Sequence, residues 1–365
     1  MKIRRFEAAD APALDRLNER LRAGGAHERV DPEGSEQQHS TIIRQRLFVA
    51  SDDGEIRGAV WLKEHAFRVR GGDLRCGWLK YPVAESLTDG RFSSVPGSLI
   101  VQCLREQPLL MALGLGGHST PLARMLAGLR WSGLTVPTLI RLSRPARAIR
   151  ELAPFRTDRI RRAAAAVAAR SGAAVLALRS WDLIQSLRVG RAPTGYRAEP
   201  CERFGEWTDR IWEAARDQYE FVAARNAASL ETEIAAAPGL GVQRLRVTHD
   251  RSPVGWAYVL RRDFSATPDP RFGRLTVGQV GDCFGAPRHA AGIAAAAVDA
   301  LESQRVDVVF TNQLHPAWVG AFRKCGFLAD GGRFAFYRAP KVTQMPVRWE
   351  ADCHVTRGDC HGPIW

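Results

Sequence analysis

Side chains suited to proton transfer lie near the ends of predicted strands in both halves of this 365-residue chain. Tyr81 and Glu85 close one strand, Asp282 closes another, and His315 precedes a helix. A carboxylate can take a proton from a reacting group, a tyrosine can return one, and a histidine titrates near neutral pH. We predict these four residues as catalytic. The structural alternatives are turn capping for Asp282 and helix capping or packing for His315.

The stretch from Gly285 to Ala294 has the composition of an anion site. Free amides at a helix start, the helix dipole and a glycine that permits close approach together favour phosphate groups. Gly292 would supply the close approach, and Arg288 would supply a cation. An ordinary alanine-rich helix start is the alternative.

The elements that must position these groups are clearest near the C-terminus. Val308–Asn312 is a β-branched, apolar run that predicts a buried strand. The helix that follows places Trp318 and Phe322 on one face at helical spacing, and Gly326 stands where a helix C-cap needs positive φ. A strand, a turn and an amphipathic helix are therefore expected in that order.

The chain also contains an internal repeat. Residues 48–62 and 245–260 each predict two strands joined by a turn, with Gly58 and Gly255 at matching points. After each hairpin come a strand, a helix, a strand and a helix, so we predict duplication of a whole domain. The alternative is that such element orders are common among unrelated proteins.

The composition limits the classes of binding partner that we expect for this protein. The formal net charge is +13, but the basic residues are spread out without interleaved aromatics. This pattern argues against nucleic acid as the partner and favours a surface that attracts anions.

The N-terminus lacks an apolar signal region and no run approaches a membrane span. Seven scattered cysteines indicate a reducing cytoplasm. Cys353-His354 and Cys360-His361 lack the spacing of a zinc site, so we predict no metal.

The stretch from Val308 to Phe327 resembles the closing half of the GCN5-related N-acetyltransferase (GNAT) fold. In that family acyl-CoA lies between the splayed fourth and fifth strands, and a helix start written Arg/Gln-x-x-Gly-x-Gly/Ala holds its pyrophosphate. His289, Gly292 and Ala294 match this motif, with histidine as the first residue. The resemblance implies the following cofactor-binding residues: Cys283, Gly285, Arg288, His289, Gly292, Ala294, Asn312 and Phe322.

The resemblance predicts an α/β fold made of two tandem GNAT-like domains, each a mixed, mostly antiparallel sheet flanked by helices. The expected boundaries are 1–190 for an N-terminal domain with a degenerate cofactor site and a connecting segment, 191–342 for a C-terminal domain, and 343–365 for a tail.

The implied function is acyl-CoA-dependent N-acyl transfer, with acetyl-CoA or another acyl-CoA as cosubstrate. The C-terminal copy would bind acyl-CoA, and a small-molecule or other amine-bearing acceptor would lie in the groove between the copies. Phe322 stands where the family has a tyrosine proton donor, so either water, Tyr337 or Cys283 would substitute, or this copy does not use that route. The alternatives are a non-catalytic binding or regulatory protein and a Fem-type transferase that uses aminoacyl-tRNA.

Overall fold

The computed structural model describes residues 1–32, 42–152, 193–330 and 334–363. The chain divides into two compact units: unit 1 comprises Met1–Thr135 and Arg333–Val347, and unit 2 comprises Val136–Gly332 and Arg348–Trp365. Each unit has its own mixed sheet and helices, which confirms the predicted fold class. No described helix is long and apolar enough to cross a membrane.

Unit 1 contains a sheet in the order β1-β2-β3-β4-β5-β15-β6, antiparallel throughout except for the parallel pair β4–β5. Its strands are β1 (Lys2–Arg5), β2 (Arg44–Asp52), β3 (Glu55–Val69), β4 (Gly72–Ala84), β5 (Leu110–Gly114), β6 (Ser132–Thr135) and β15 (Ala335–Arg338). Its helices are α1 (Ala11–Ala23), α2 (Val95–Glu106), α3 (Pro121–Gly128) and α9 (Pro340–Thr343).

Unit 2 contains a sheet in the order β8-β10-β11-β12-β13-β7-β14, in which β12–β13 is the parallel pair. Its strands are β7 (Thr138–Leu142), β8 (Tyr196–Cys201), β10 (Gln243–His249), β11 (Ser252–Asp263), β12 (Thr276–Gly285), β13 (Val308–Asn312) and β14 (Leu328–Asp330), and β9 (Phe221–Ala223) pairs in parallel with β16 (Cys353–His354). Its helices are α4 (Pro145–Glu151), α5 (Glu206–Ala215), α6 (Ala227–Ala235), α7 (Ala290–Glu302), α8 (Pro316–Lys324) and α10 (Arg357–His361).

Helices form where apolar residues recur at three- and four-residue spacing. In α1 the buried residues are Leu14, Leu17 and Leu21, and a proline stands in the first turn, where its missing N–H is harmless. In contrast, every residue of β12 is buried, as expected for a central strand covered on both faces.

The two sheets repeat one another at the level of single residue pairs. Gly58 lies opposite Ala84 across β3 and β4, and Gly255 lies opposite Gly285 across β11 and β12. The hairpin turns repeat as well, because both place two consecutive residues at positive φ, Asp53-Gly54 and Asp250-Arg251. These matches are those expected of a duplicated domain.

The units exchange strands along the sequence. In unit 1, β15 from the late part of the chain lies between β5 and β6; in unit 2, β7 lies between β13 and β14. The predicted boundaries follow sequence order and do not anticipate this exchange. The predicted boundary at residue 190 lies outside the described residues.

The exchange predicts which fragments fold. A fragment 1–135 lacks β15 and leaves β5 and β6 with unpaired edges, so we expect no cooperative thermal transition by circular dichroism. Thr135 and Ala335 are register partners on adjacent antiparallel strands, so an Asn-Gly turn can join them. We expect 1–135 followed by Asn-Gly and 335–347 to unfold cooperatively. Equal cooperativity of both fragments would contradict the exchange.

Candidate functional site

In unit 2 the parallel strands β12 and β13 pair briefly and then part. The pairs run from Val277↔Val308 to Gln279↔Phe310, whereas β12 continues to Gly285. A bulge interrupts the β11–β12 register next to this point, and bulges bend the strand that carries them. The divergence leaves a gap between the two strands, at the place that the GNAT resemblance assigns to acyl-CoA.

Unit 1 has the corresponding feature. Its parallel strands pair from Gly77↔Leu110 to Leu79↔Ala112, and β4 then continues to its end at Ala84. The β3–β4 register is also irregular just beyond the parallel pairs. The same strand divergence is therefore built twice.

The C-terminal segment of the chain enters the gap of unit 2. The Leu314 amide donates to the Val355 carbonyl at 3.0 Å, and Nε2 of His354 contacts the Cys283 carbonyl at 3.0 Å. All four residues of 353–356 are fully buried. The segment thus bonds to β12 on one side and to the residues after β13 on the other.

Gly358 fits against β12 because it has no side chain. A Cβ at this position would collide with the Tyr258 hydroxyl and would lie 3.3 Å from the Cβ of Asp282. Tyr258 is itself 2% exposed, so its ring has no free space to move into. The approach of α10 to β12 therefore depends on glycine.

One buried guanidinium ties α10 to β12. Nε of Arg225 donates to Asp282 Oδ2 at 3.0 Å, and its Nη2 donates to Asp359 at 2.9 Å (Oδ1) and 3.1 Å (Oδ2). Arg225 is 1% exposed and each carboxylate 4%. Removing one member of such a buried network usually costs about 3–5 kcal/mol, because a buried charge is left uncompensated.

The triad of Arg225, Asp282 and Asp359 has one basic and two acidic side chains. The pKa values of Asp282 and Arg225 are shifted as a result. The pKa of Asp282 is raised to about 6. Burial is the largest cause, the positive charge of Arg225 opposes it, and the negative charge of Asp359 adds to it. Burial alone would lower the pKa of Arg225, but the two carboxylates outweigh burial and raise it. Arg225 therefore stays charged. The raised pKa of Asp282 suits a base, yet both its oxygens already accept hydrogen bonds within the protein. Its predicted catalytic role stays a prediction.

Aromatic rings enclose the same segment. The His354 ring stacks on Trp318 with centroids 5.4 Å apart and on Tyr219 at 5.1 Å. The Tyr219 hydroxyl donates to the Gly285 carbonyl at 2.6 Å and accepts from Trp318 Nε1 at 3.0 Å. Burial holds the pKa of His354 well below its usual value, so the neutral ring donates from Nε2 to Cys283.

His315 is the N-cap of α8. Its Nδ1 accepts from the Ala317 amide at 3.1 Å, and its ring meets Tyr219 edge-on at 5.0 Å. Burial lowers the pKa of His315 to about 4, so the ring is neutral at neutral pH. The structural alternative of capping and packing is the geometry observed, and catalysis by His315 stays a prediction.

The start of α7 is covered by a tyrosine. A Cβ at Gly292 would collide with the Tyr196 ring, whose hydroxyl lies 2.8 Å from Nδ1 of His289. Burial, with Arg288 and His249 adding to it, lowers the pKa of His289. Arg288 is exposed.

The other predicted cofactor residues of unit 2 lie in its interior. Asn312 donates from Nδ2 to Thr138 Oγ1 at 2.7 Å across β13 and β7. Phe322 packs edge-on against Phe327 at 5.1 Å. Ala294, Cys283 and Phe322 are fully buried, and burial raises the pKa of the Cys283 thiol well above its usual value.

In unit 1, Glu85 and Tyr81 lie in different environments. Glu85 is buried and accepts from Arg20 Nε at 2.9 Å and from Arg57 Nη1 at 3.0 Å. Tyr81 is 44% exposed and has φ +47°, in the left-handed region. The structure does not bring their hydrogen-bonding atoms together, and their catalytic roles stay predictions.

The helices that follow the fourth strands correspond closely. A Cβ at Gly58 would lie 2.7 Å from Val95 Cγ1, and a Cβ at Gly255 would lie 2.7 Å from Ile293 Cγ1. Val95 in α2 and Ile293 in α7 therefore hold matching positions.

This correspondence locates the motif in unit 1. Arg91 matches His289, Ser94 matches Gly292 and Pro96 matches Ala294. Unit 1 therefore carries the arginine of the family motif, with serine and proline at its two small-residue positions. Arg91 is exposed and pairs with Asp89, Nη2 to Oδ2, at 2.6 Å. That pairing lowers the pKa of Asp89.

Neither unit has a tyrosine in the helix after its fifth strand at the family's position. The Phe322 carbonyl accepts from the Phe327 amide at 3.2 Å, and the Leu126 carbonyl accepts from the Trp131 amide at 3.0 Å. Leu126 of α3 thus matches Phe322 of α8.

Unit 1 instead contains a tyrosine–histidine pair. The Tyr337 hydroxyl lies 2.9 Å from Nδ1 of His118, and Nε2 of His118 lies 3.1 Å from Thr135 Oγ1. Tyr337 is 4% exposed, burial raises its pKa, and His118 is exposed.

Sequence reasoning missed Arg225, Tyr219 and the position of His354. Each lies far along the chain from its partners, and the partners of a buried charge are not readable from one sequence. The one available signal was an arginine two residues after the apolar strand Phe221–Ala223, where a charge needs a partner if it is buried. Among the described residues no group of three or more histidine, cysteine or acidic side chains could hold a metal ion.

Comparison with known proteins supports the geometry. No protein-family model matches the sequence, and no curated protein sequence matches it significantly. A GCN5-related N-acetyltransferase from Anabaena variabilis ATCC 29413 is similar in structure, with TM-score 0.54, 9% identity, and coverage of 93% of this chain and 72% of that one. Saccharomyces cerevisiae N-myristoyltransferase with bound myristoyl-CoA gives TM-score 0.53 at 10% identity, covering 92% and 78%.

A glucosamine N-acetyltransferase region of a fungal multi-domain protein gives TM-score 0.51 at 12% identity, covering 92% of this chain and 38% of that one. The chain therefore has the GNAT fold, and its two units make the arrangement tandem. At these identities the likeness establishes the fold alone.

The Asp282 pKa predicts a pH dependence. In the folded state the pKa is about 6, against 3.8 as the ordinary value, so folding takes up a proton between these pH values. We expect the free energy of unfolding, relative to D282N, to fall as pH rises from about 4 to 6, by up to about 3 kcal/mol. Chemical denaturation of the wild type and D282N at several pH values across this range measures the difference in their free energies of unfolding. A constant or rising difference would contradict the raised pKa.

The fit of Gly358 predicts the effect of one methyl group. We expect G358A to lower the free energy of unfolding by about 1–3 kcal/mol, because its Cβ overlaps the buried Tyr258 hydroxyl. The matched control is G320A in α8, where a Cβ meets no atom within 4 Å; it should gain about 0.5–1 kcal/mol of helix stability. A G358A protein as stable as wild type would show that α10 does not pack here.

Proposed function

We propose that this protein is an acyl-CoA-dependent N-acyltransferase. The observation that carries the proposal is the repeated divergence of the parallel strands β4–β5 and β12–β13 within a GNAT fold. Strand edges that part in this way expose backbone groups, and such groups can pair with the amides of an extended ligand. The helix that begins after each fourth strand can hold a pyrophosphate.

The proposed reaction joins an acyl group to an amine. The amine nitrogen attacks the thioester carbonyl, the C–N bond forms, the C–S bond breaks, and the amine proton passes to a base while the thiolate of CoA is protonated. The acyl group is acetyl or another acyl group, and the acceptor is a small molecule or another amine-bearing substrate. Its position in a groove between the copies stays a prediction.

Two features of unit 2 oppose the predicted base and cofactor residues of the C-terminal copy. Residues 353–356 fill the strand gap beside Cys283, and the Tyr196 ring covers Gly292. Binding of acyl-CoA there, with Asp282 as base, would require both to move.

Tyr337 supports a proton route in unit 1. It was a candidate to replace the helix tyrosine missing from the C-terminal copy, but it lies on β15 in the sheet of unit 1. There its hydroxyl contacts His118, whose exposed ring can exchange protons with solvent. Cys283 is the weaker candidate because its thiol is fully buried in unit 2. Tyr337 would therefore protonate the CoA thiolate and be reprotonated through His118.

A second candidate, a non-catalytic binding protein, is favoured by one observation. Phe322 and Leu126 occupy the position of the family's proton donor in both copies. In that case the protein would bind a ligand without releasing free CoA.

The test is ligand-induced stabilisation followed by turnover. At 100 times its Kd, acetyl-CoA or another acyl-CoA should raise the melting temperature by roughly 5–10 °C, because a ligand that binds only the folded state stabilises it. A panel of amines should then release free CoA thiol. Stabilisation without thiol release with any amine would favour the non-catalytic candidate. A salt-sensitive shift with tRNA, and none with acyl-CoA, would instead favour aminoacyl-tRNA-dependent transfer.

A further inference from the structure

We propose that residues Cys353–Asp359 are an internal ligand of unit 2 that closes its strand gap, so that the chain binds acyl-CoA at one site, in unit 1. This inference rests on the proposed function and names the copy that performs it.

The segment contacts both sides of the gap, through its main chain after β13 and through the His354 side chain at β12. It accepts from the Leu314 amide through Val355, it meets the Cys283 carbonyl through His354, and Thr356 forms a bridge with Gln313. These are groups of the two edges that diverge. A pantetheine arm needs the same edges, so the segment and the arm exclude one another.

Charge makes the closure hard to reverse. Displacing α10 would separate Asp359 from Arg225 and leave the guanidinium with Asp282 alone. It would also expose His354, whose ring burial keeps neutral, and the Trp318 and Tyr219 rings stacked on it. The Thr356 amide also donates to Asp359 Oδ2 at 2.7 Å, which fixes the start of the helix. The binding free energy of an incoming ligand would have to compensate for the lost ion pair, the exposed rings and the lost hydrogen bond at the helix start.

The helix start of unit 2 is closed independently. The Tyr196 ring lies against Gly292, and its hydroxyl contacts His289 at 2.8 Å. A pyrophosphate at a helix start needs close approach to the amides beside the glycine. The ring lies where a side chain at Gly292 would project, so the protein's own residues contact both the strand gap and the helix start in this unit.

Unit 1 is then the copy left to bind acyl-CoA. Its fourth and fifth strands diverge after the same number of pairs, and Val95, the first residue of its α2, matches Ile293 in the first turn of α7. Arg91 supplies the first residue of the motif. The Arg91 side chain is 83% exposed, so a phosphate can reach the guanidinium and compete with Asp89 for it.

Isothermal titration of the full chain with acetyl-CoA, or with the acyl-CoA that gives the largest thermal shift, tests the site count. We expect one molecule per chain. Two molecules per chain would overturn the inference while supporting the proposed function. The absence of binding by any acyl-CoA would reject the proposed function itself, and with it the single site.

Matched charge reversals locate the site. R91E and R288E place the same change at exposed positions before the corresponding helices. We expect R91E to weaken binding roughly tenfold or more, the loss expected for a charged hydrogen bond to phosphate, and R288E to change Kd by less than about twofold. Loss of binding in R288E with none in R91E would place acyl-CoA in unit 2 and overturn the inference.

Hydrogen exchange reports on the segment directly. The amides of Leu314 and Thr356 are bonded to Val355 and Asp359, so both should be protected in the free protein. We expect saturating acyl-CoA to leave their exchange unchanged. Faster exchange at both on ligand addition would show that the segment is displaced, and the closure would then be wrong.

Discussion

A single buried guanidinium constrains much of unit 2. Arg225 is buried and pairs with one carboxylate from β12 and one from α10. Because Asp359 belongs to α10, this pairing holds that helix against the sheet. The position of His354 between aromatic rings, the need for glycine at 358 and the filling of the strand gap all accompany this arrangement. In the closure that we propose, this charge network keeps acyl-CoA out of unit 2.

The duplication gives the same scaffold two different outcomes. Both units keep the strand divergence, the hairpin turns and the close approach of a glycine to the next helix. They differ in what surrounds the divergence: unit 2 has Tyr196 over its helix start and its own tail in the gap, whereas unit 1 has Arg91 before its helix and a tyrosine–histidine pair on β15. The exchange of β7 and β15 makes each unit depend on a strand from a distant part of the sequence.

The sequence predicted the fold better than the site. The periodicity of Val308 to Phe327 and the two hairpins depend on local pattern, and the structure contains both. The strand exchange was missed because β7 and β15 are short, and nothing in such a strand identifies the sheet that it joins. The Arg225 network was missed for a related reason: it joins residues 57 and 134 positions apart in sequence. His289 and Gly292 matched a motif by spacing, but spacing does not reveal the Tyr196 ring above them.

The most direct test of the central claim is a crystal structure of the full chain with bound acyl-CoA. If unit 1 holds the single site, we expect pantetheine density along the end of β4, next to the start of α2, with Cys353–Asp359 still bonded to β12. Density between β12 and β13, with that segment displaced and Arg225 separated from Asp359, would contradict it.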